Sequence, residues 1–320
     1  MTVLVYAVPA DSPDQVPSLP PPPAFWGLSV VWEGVDGSTW DLSDWTSGIA
    51  LLLEGFEGLH FPPVDADVLT ADGVHGQIVT GIRILPRSVG FRVGVFADNA
   101  DDWAALDQRF WASWHPLRRG RLTISSKRGS RSIRLRLNPS DGYSYRRDPN
   151  MWGAAVYQLD AIADRPLWAG DQVVTSWSTV EVQPFLDPSG SPPFWVTPRN
   201  LVDSAELTNP GDVDVWPIWQ VTADGGPITL SISAAGGTTL VPPLASGQTI
   251  LIDTDPISGG ADRGVLVDGV LTSPVAIDTQ LGVYQPRRVP AGATIPVGLA
   301  LTGPGRVSAA LTPLHWRGLP

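Results

Sequence analysis

The chain has 320 residues, with 33 Gly, 32 Pro, 43% hydrophobic and 17% charged residues and a formal net charge of −11. At about 150 residues per domain the length suits two domains, each able to bury a core. This much Gly and Pro excludes long-helix architectures, Gly without a three-residue period excludes a collagen rod, 14 Trp argue against disorder, and the acidic balance argues against general nucleic-acid binding.

Residues 2–8 are apolar, but no Lys or Arg precedes them, so a signal peptide is not expected. A Pro-rich stretch follows over 9–23 and ends in Pro20-Pro21-Pro22-Pro23. Such a run is stiff and extended, which makes 1–24 either a tether or an arm that pairs with a neighbouring subunit.

Strand signals begin at Phe25. Leu28–Trp32 and Thr39–Leu42 flank Asp36-Gly37, a hairpin turn signal. Gln77–Ile84 and Phe91–Phe96 alternate with period two, as half-buried strands do. The spacing of Trp103, Leu106, Phe110 and Trp114 instead predicts a helix over about 100–114, opened by acidic residues and stopped by Pro116. Arg121–Ser125 and Ser132–Leu137 read as a hairpin with Ile133, Leu135 and Leu137 on one face. A strand over 154–162 and a second Pro-rich stretch over 184–198 place the domain boundary within 165–200.

The second half reads as short strands at 213–222, 228–233, 249–253 and 264–267, separated by Gly-rich turns at roughly ten-residue spacing, as in a β-sandwich. The fold class expected is mainly β: two β-sandwich or barrel-like domains, the first with a single substantial α-helix. The expected division is an arm at 1–24, a domain at 25–165, a Pro-rich linker at 166–199 and a β-sandwich at 200–320.

Few residues offer chemistry. Absent cysteine removes disulfides, thiolate metal sites and a cysteine nucleophile. His60, His75, His115 and His315 are scattered without metal-ligand spacing, and no phosphate-binding loop or nucleophile elbow is present. Asp253, Asp255 and Asp262 fail the EF-hand order, because Ile257 and Gly264 stand where oxygen ligands are required. No apolar run approaches the roughly 18 residues of a membrane span. No catalytic, cofactor or metal residue is assigned.

Charge is unevenly placed. Residues 118–147 hold ten basic residues against Asp141 alone, a net of +9, so the other 290 residues carry −20. Arg118, Arg119, Arg121, Lys127, Arg128, Arg131, Arg134 and Arg136 are therefore the candidate interface. The readings are a solvated face, a contact with an acidic protein surface such as the next copy of the chain, or nucleic acid. For the second half, Trp219 shares a strand face with Val213, Val215 and Val221 and is expected in the core, while Trp216 lies on the other face.

The order of these pieces carries a resemblance. Asn209-Pro210-Gly211-Asp212 leads into Trp216-Pro217-Ile218-Trp219, and then come Gly247-Gln248-Thr249-Ile250-Leu251-Ile252-Asp253-Thr254 and Val267-Asp268-Gly269. Upstream stand Gly37-Ser38-Thr39-Trp40-Asp41-Leu42, Gly55-Phe56-Glu57-Gly58-Leu59, the lone helix, Arg134-Leu135-Arg136 and Ala163-Asp164-Arg165-Pro166-Leu167-Trp168. From about residue 25 onward this resembles the distal tail proteins of long, non-contractile-tailed (siphovirus-type) phages, also described as minor tail proteins. The Pro-rich 1–24 stretch departs from that family, and the part after Leu281 follows it only loosely.

The resemblance implies a structural virion protein at the distal end of the tail, without enzymatic activity or cofactor. It implies a hexameric ring that joins the tail tube to the tail-tip or baseplate complex around a channel through which DNA passes as cargo. The implied partners are other copies of the chain, the tail tube protein, the tail-tip hub protein and the tape measure protein. Two alternatives stand beside it: a carbohydrate-binding β-sandwich that attaches to host-surface glycans, and a β-sandwich glycosidase, which needs a carboxylate pair in a cleft.

Overall fold

A computed structural model of the chain describes residues 27–52, 56–70, 73, 75–139, 148–178, 200–201, 204–224, 228–255, 265–267, 270–272 and 286–320. The 1–24 arm, most of the 166–199 linker, Asp141, Arg146, Arg147 and Asp262 lie outside them. The chain divides into two compact units, one of Met1–Trp168 with Trp316–Pro320, the other of Ala169–His315.

The first unit is built from β1 (Ser29–Glu33), β2 (Thr39–Asp41), β3 (Ile49–Leu51), β4 (Val64–Leu69), β5 (Ile78–Ile84), β6 (Arg87–Phe96), β7 (Gly120–Ser126), β8 (Gly129–Leu137) and β9 (Ala154–Ala163). Helix α1 (Ala100–Ala112) follows β6, and a single turn, α2 (Pro149–Trp152), precedes β9. The main sheet runs β2-β1-β7-β8-β9-β6-β3 and curls nearly into a barrel, while among the described residues β4 and β5 pair only with each other. Local chemistry sets the turns. Asp36 Oδ1 accepts from the Ser38 amide and hydroxyl at 3.0 and 2.6 Å, closing the β1–β2 hairpin.

The helix ends two residues before the predicted stop. Asn99 caps its start by accepting from the Asp102 amide at 2.9 Å, and the Ser113 hydroxyl donates to the Phe110 carbonyl at its end. Trp103 and Phe110 are buried, and Trp114, just past the helix, stacks on Trp32 with ring centroids 3.8 Å apart. The Trp32 indole N–H donates to the Ser113 hydroxyl at 3.0 Å, so one serine joins helix end to barrel core. Buried aromatics of this size dominate a core of β-strand aliphatics such as Val93, Leu122 and Leu135.

A short strand, β10 (Trp168–Gly170), follows β9. Unit two then comprises β11 (Val173–Ser178), β12 (Asn200–Leu201), β13 (Ser204–Thr208), β14 (Ile218–Ala223), β15 (Ile228–Ala234), β16 (Gly237–Leu244), β17 (Thr249–Asp253), β18 (Val265–Val267), β19 (Val270–Thr272), β20 (Thr294–Thr302) and β21 (Gly305–Leu311). The last strand, β22 (Leu314–His315), pairs with β10. Two sheets form, β11-β21-β14-β17-β18-β19 and β12-β20-β15-β16, with β13 also on β20. Strand β11 lies within the stretch read from sequence as linker. Trp219 is buried, as its strand face predicts. Asn209 fixes the turn after β13, because its side chain donates to the Val213 and Val289 carbonyls and accepts from the Gly211 amide.

Candidate assembly surfaces

The β4–β5 hairpin is the exception to a well-packed first unit. The alternation in β5 predicts a half-buried strand; instead both strands are exposed along nearly their whole length. Period-two alternation reports that a strand has two unlike faces, and whether anything covers the apolar one depends on the tertiary fold.

Register sorts the hairpin faces. Val64 opposes Ile84, Asp65 opposes Arg83, Ala66 opposes Ile82 and Asp67 opposes Gly81. A bulge then skips Thr80, so Val68 opposes Val79. Directly opposed residues share a face, so the bulge returns Val79 to the side of Val68, Ala66 and Ile82. The result is an apolar face of Val64, Ala66, Val68, Val79, Ile82 and Ile84. Behind it Arg83 and Asp65 form an ion pair at 2.8 Å beside Asp67. Ile82 is 67% exposed and Val64 54%, and a contiguous apolar patch of this kind is often functional.

The root of this hairpin is rigid. The Leu85 amide donates to the Pro63 carbonyl at 2.9 Å, closing its base. Immediately after it, Arg87 is fully buried and without a carboxylate partner among the described residues. Its guanidinium donates to the carbonyls of Gly58, His60, Pro166 and Trp316, and lies 6.0 Å from the Trp168 ring centroid. Burial pulls its pKa down to about 10, which leaves it charged at neutral pH. A buried cation is tolerated only when its donors are satisfied, and here backbone oxygens satisfy them. The loop it grips lies flat on β6: the Glu57 amide donates to the Gly90 carbonyl at 2.7 Å, and Gly58 (φ +81°) has no space for a side chain against Ser88.

The eight basic residues singled out from sequence separate into two sets. Arg119 and Arg136 both bind Asp164, at 2.8 and 3.0 Å. Burial alone would raise the Asp164 pKa, but the hydrogen bonds and charges of the two arginines outweigh it and hold it below the usual value. Arg121 faces Glu33 at 3.8 Å, and Arg131 donates to the Arg317 and Leu319 carbonyls at 2.8 and 2.7 Å. Arg118, Lys127, Arg128 and Arg134 are exposed and make no direct ion pair among the described residues, although Asp36, whose pKa is lowered first by the Ser38 hydroxyl, also feels the charge of Arg118. Half of the basic cluster thus serves the fold, and the other half is available to a partner.

Sequence reasoning missed β4, the exposure of β5 and the role of Arg87. The alternation in Val64–Leu69 was a usable signal for β4. Nothing in the sequence distinguishes Arg87, because its partners are carbonyls scattered along the chain. Among the described residues no three His, Asp or Glu side chains gather as metal ligands, and no helix is long and apolar enough to cross a membrane.

Solved phage proteins resemble the chain to different degrees. The SPP1 Dit protein (gp 19.1), described as a paradigm of the hub adsorption apparatus in phages that infect Gram-positive hosts, superposes with a TM-score of 0.56 at 13% identity over 88% of this chain and 98% of its own. Chains of the phage P2 baseplate in its activated conformation with Ca and with Sr give TM-scores of 0.48 at 10% and 11% identity, over 89% of this chain and 97% of theirs. No protein-family model and no curated protein sequence matches. The chain therefore has the fold of the SPP1 Dit protein.

Proposed function

We propose that this chain is a structural, non-enzymatic protein of a phage tail tip, placed at the distal end of the tail in the virion. It assembles as a ring, six copies in the arrangement its family resemblance implies. That ring joins the tail tube to the tip or baseplate complex around a channel for DNA. The first unit makes the ring and the second serves attachment. Its neighbours in this reading are other copies of itself, the tail tube protein, the tail-tip hub protein and the tape measure protein.

The observation that carries the reading is the bare apolar face of the β4–β5 hairpin, presented from a root held by Arg87. A two-stranded ribbon is marginal in water by itself, so a fold that holds one out is built to be covered by another chain. The shared fold with the SPP1 Dit protein supports the setting. Arg118, Lys127, Arg128 and Arg134 supply an electrostatic contact to an acidic partner surface.

Light scattering of the purified full chain, combined with electron microscopy of the particles, tests the assembly. A closed oligomer with a central hole is expected; a monomer at high protein concentration in both low and high salt overturns the ring. The glycan-binding alternative needs exposed Trp on the second unit, where Trp219 is core and the Arg288 guanidinium lies 5.2 Å from the Trp216 ring centroid; glycan binding by the full chain tests it.

A further inference from the structure

We infer that the apolar hairpin face of one copy docks on an outer patch formed by Trp45, Phe96, Ala154 and Val156 of the next copy, in a head-to-tail contact. The inference rests on the ring reading above and names the surface that receives the hairpin. Strand β6 connects the two features. Its inward residues Val89, Phe91, Val93 and Val95 fill the core, so Ser88, Gly90, Arg92, Gly94 and Phe96 point outward. On the paired strand, Val156 stands opposite Gly94 and Ala154 opposite Phe96. The Phe96 ring folds over the bare backbone of Gly94 and stacks on Trp45 at 5.7 Å, so aromatic surface continues up to Val156, which is 57% exposed.

This patch lies at the Phe96 end of β6, and the hairpin leaves from the Arg87 end. Nine residue steps of about 3.3 Å separate them by roughly 30 Å, whereas the hairpin strands reach only about 20 Å. Within one copy the hairpin leaves this patch uncovered, since Val156 is 57% exposed. Donor and acceptor at opposite ends of one strand are the layout of a heterologous contact, which closes into a ring when the rotation permits.

Chemistry agrees on both sides. The hairpin face offers on the order of 500 Å² of apolar surface, more than half of the roughly 800 Å² that each partner contributes to a standard interface. Charge is mildly complementary: Asp65, Asp67 and Arg83 behind the hairpin face leave a net charge of −1, and Arg92 with Gln158 forms the next row beside Val156. The reverse face of the hairpin carries the Asp65–Arg83 pair and Asp67 near its root, with Leu69 opposite Ile78 toward its tip.

The test uses the full chain with Ile82→Asp, which spoils the donor, and Val156→Arg, which spoils the acceptor, read by native mass spectrometry and thermal melting. Both positions are exposed, so each variant should still melt in one cooperative transition, lowered only by the loss of assembly. Each variant alone should be monomeric, its assembly weakened at least tenfold. An equimolar mixture should yield one-to-one heterodimers and nothing larger, because one intact donor meets one intact acceptor. Val156→Arg that assembles like the wild type overturns this acceptor and leaves the ring standing. Val156→Arg that forms dimers by itself shows hairpins pairing with each other and also overturns it. A wild-type chain that stays monomeric removes the ring reading and this inference together.

Discussion

Arg87 donates to the carbonyl of Trp316 at 2.6 Å across 229 residues of sequence, tying the end of the chain to the first residue of β6. The last five residues belong to the first unit, although the whole of the second unit intervenes. Gly318 seals the junction: its amide donates to the Leu59 carbonyl at 2.7 Å, and the Trp168 indole leaves no space for a β-carbon on it.

Truncating the chain after His315 should therefore weaken the first unit, even though it removes only five residues. Arg87 loses one acceptor and Arg131 loses two. Each charge-assisted hydrogen bond is worth about 1.5–3 kcal/mol when its partner is left buried. Denaturant unfolding should show a loss of at least about 2 kcal/mol, and an unchanged midpoint would mean that the tail merely rests on the surface. Arg87→Met should cost more, because it leaves four carbonyls without their donor.

Trp103→Ala should destabilise the protein by about 3–5 kcal/mol, the range for removing a large buried aromatic. Trp103 is 6% exposed on the face of α1 that meets the barrel. Leu117→Ala is the matched control at an 81% exposed position and should change stability by less than about 0.5 kcal/mol. Equal effects at the two sites would refute the packing of α1.

Asp164 sets an acid-sensitive contribution. Its pKa is depressed in the folded state, so its stabilisation is complete above the unfolded-state value of about 3.9 and is lost as pH falls through the lower folded value. Asp164→Asn should cost about 1 kcal/mol near neutral pH and flatten the acid limb of the stability profile below about pH 4. Parallel wild-type and variant profiles would assign that limb to other carboxylates.

Glu substitution of Arg118, Lys127, Arg128 and Arg134 together should leave the melting temperature nearly unchanged, because none of the four has an ion-pair partner among the described residues. Binding to a tail partner should fall and lose most of its salt dependence. The same substitution at Arg119 and Arg136 should instead lower stability, since both hold Asp164. Pull-down at graded salt with a parallel melt separates the two sets.

Much was legible in the sequence because it rests on short-range patterns. The Asp36-Gly37 turn, the α1 spacing of Trp103, Leu106 and Phe110, the Lys127-Arg128 hairpin and the core position of Trp219 all depend on neighbours within a few residues. Backbone periodicity and turn chemistry act at that range, so the chain itself determined a β-rich molecule with one substantial helix. Even the concentration of Arg between 118 and 136 was visible.

Tertiary structure alone decided what those residues do. Four of the eight basic residues are occupied by Asp164, Glu33 and the C-terminal carbonyls, a division set by which strands become neighbours. Burial of Arg87 depends on four backbone oxygens between Gly58 and Trp316, and no local pattern encodes such a meeting. Strands β5 and β6 read alike in sequence, yet one stands exposed and the other fills the barrel, because alternation specifies two faces while the surrounding fold determines which of them is covered.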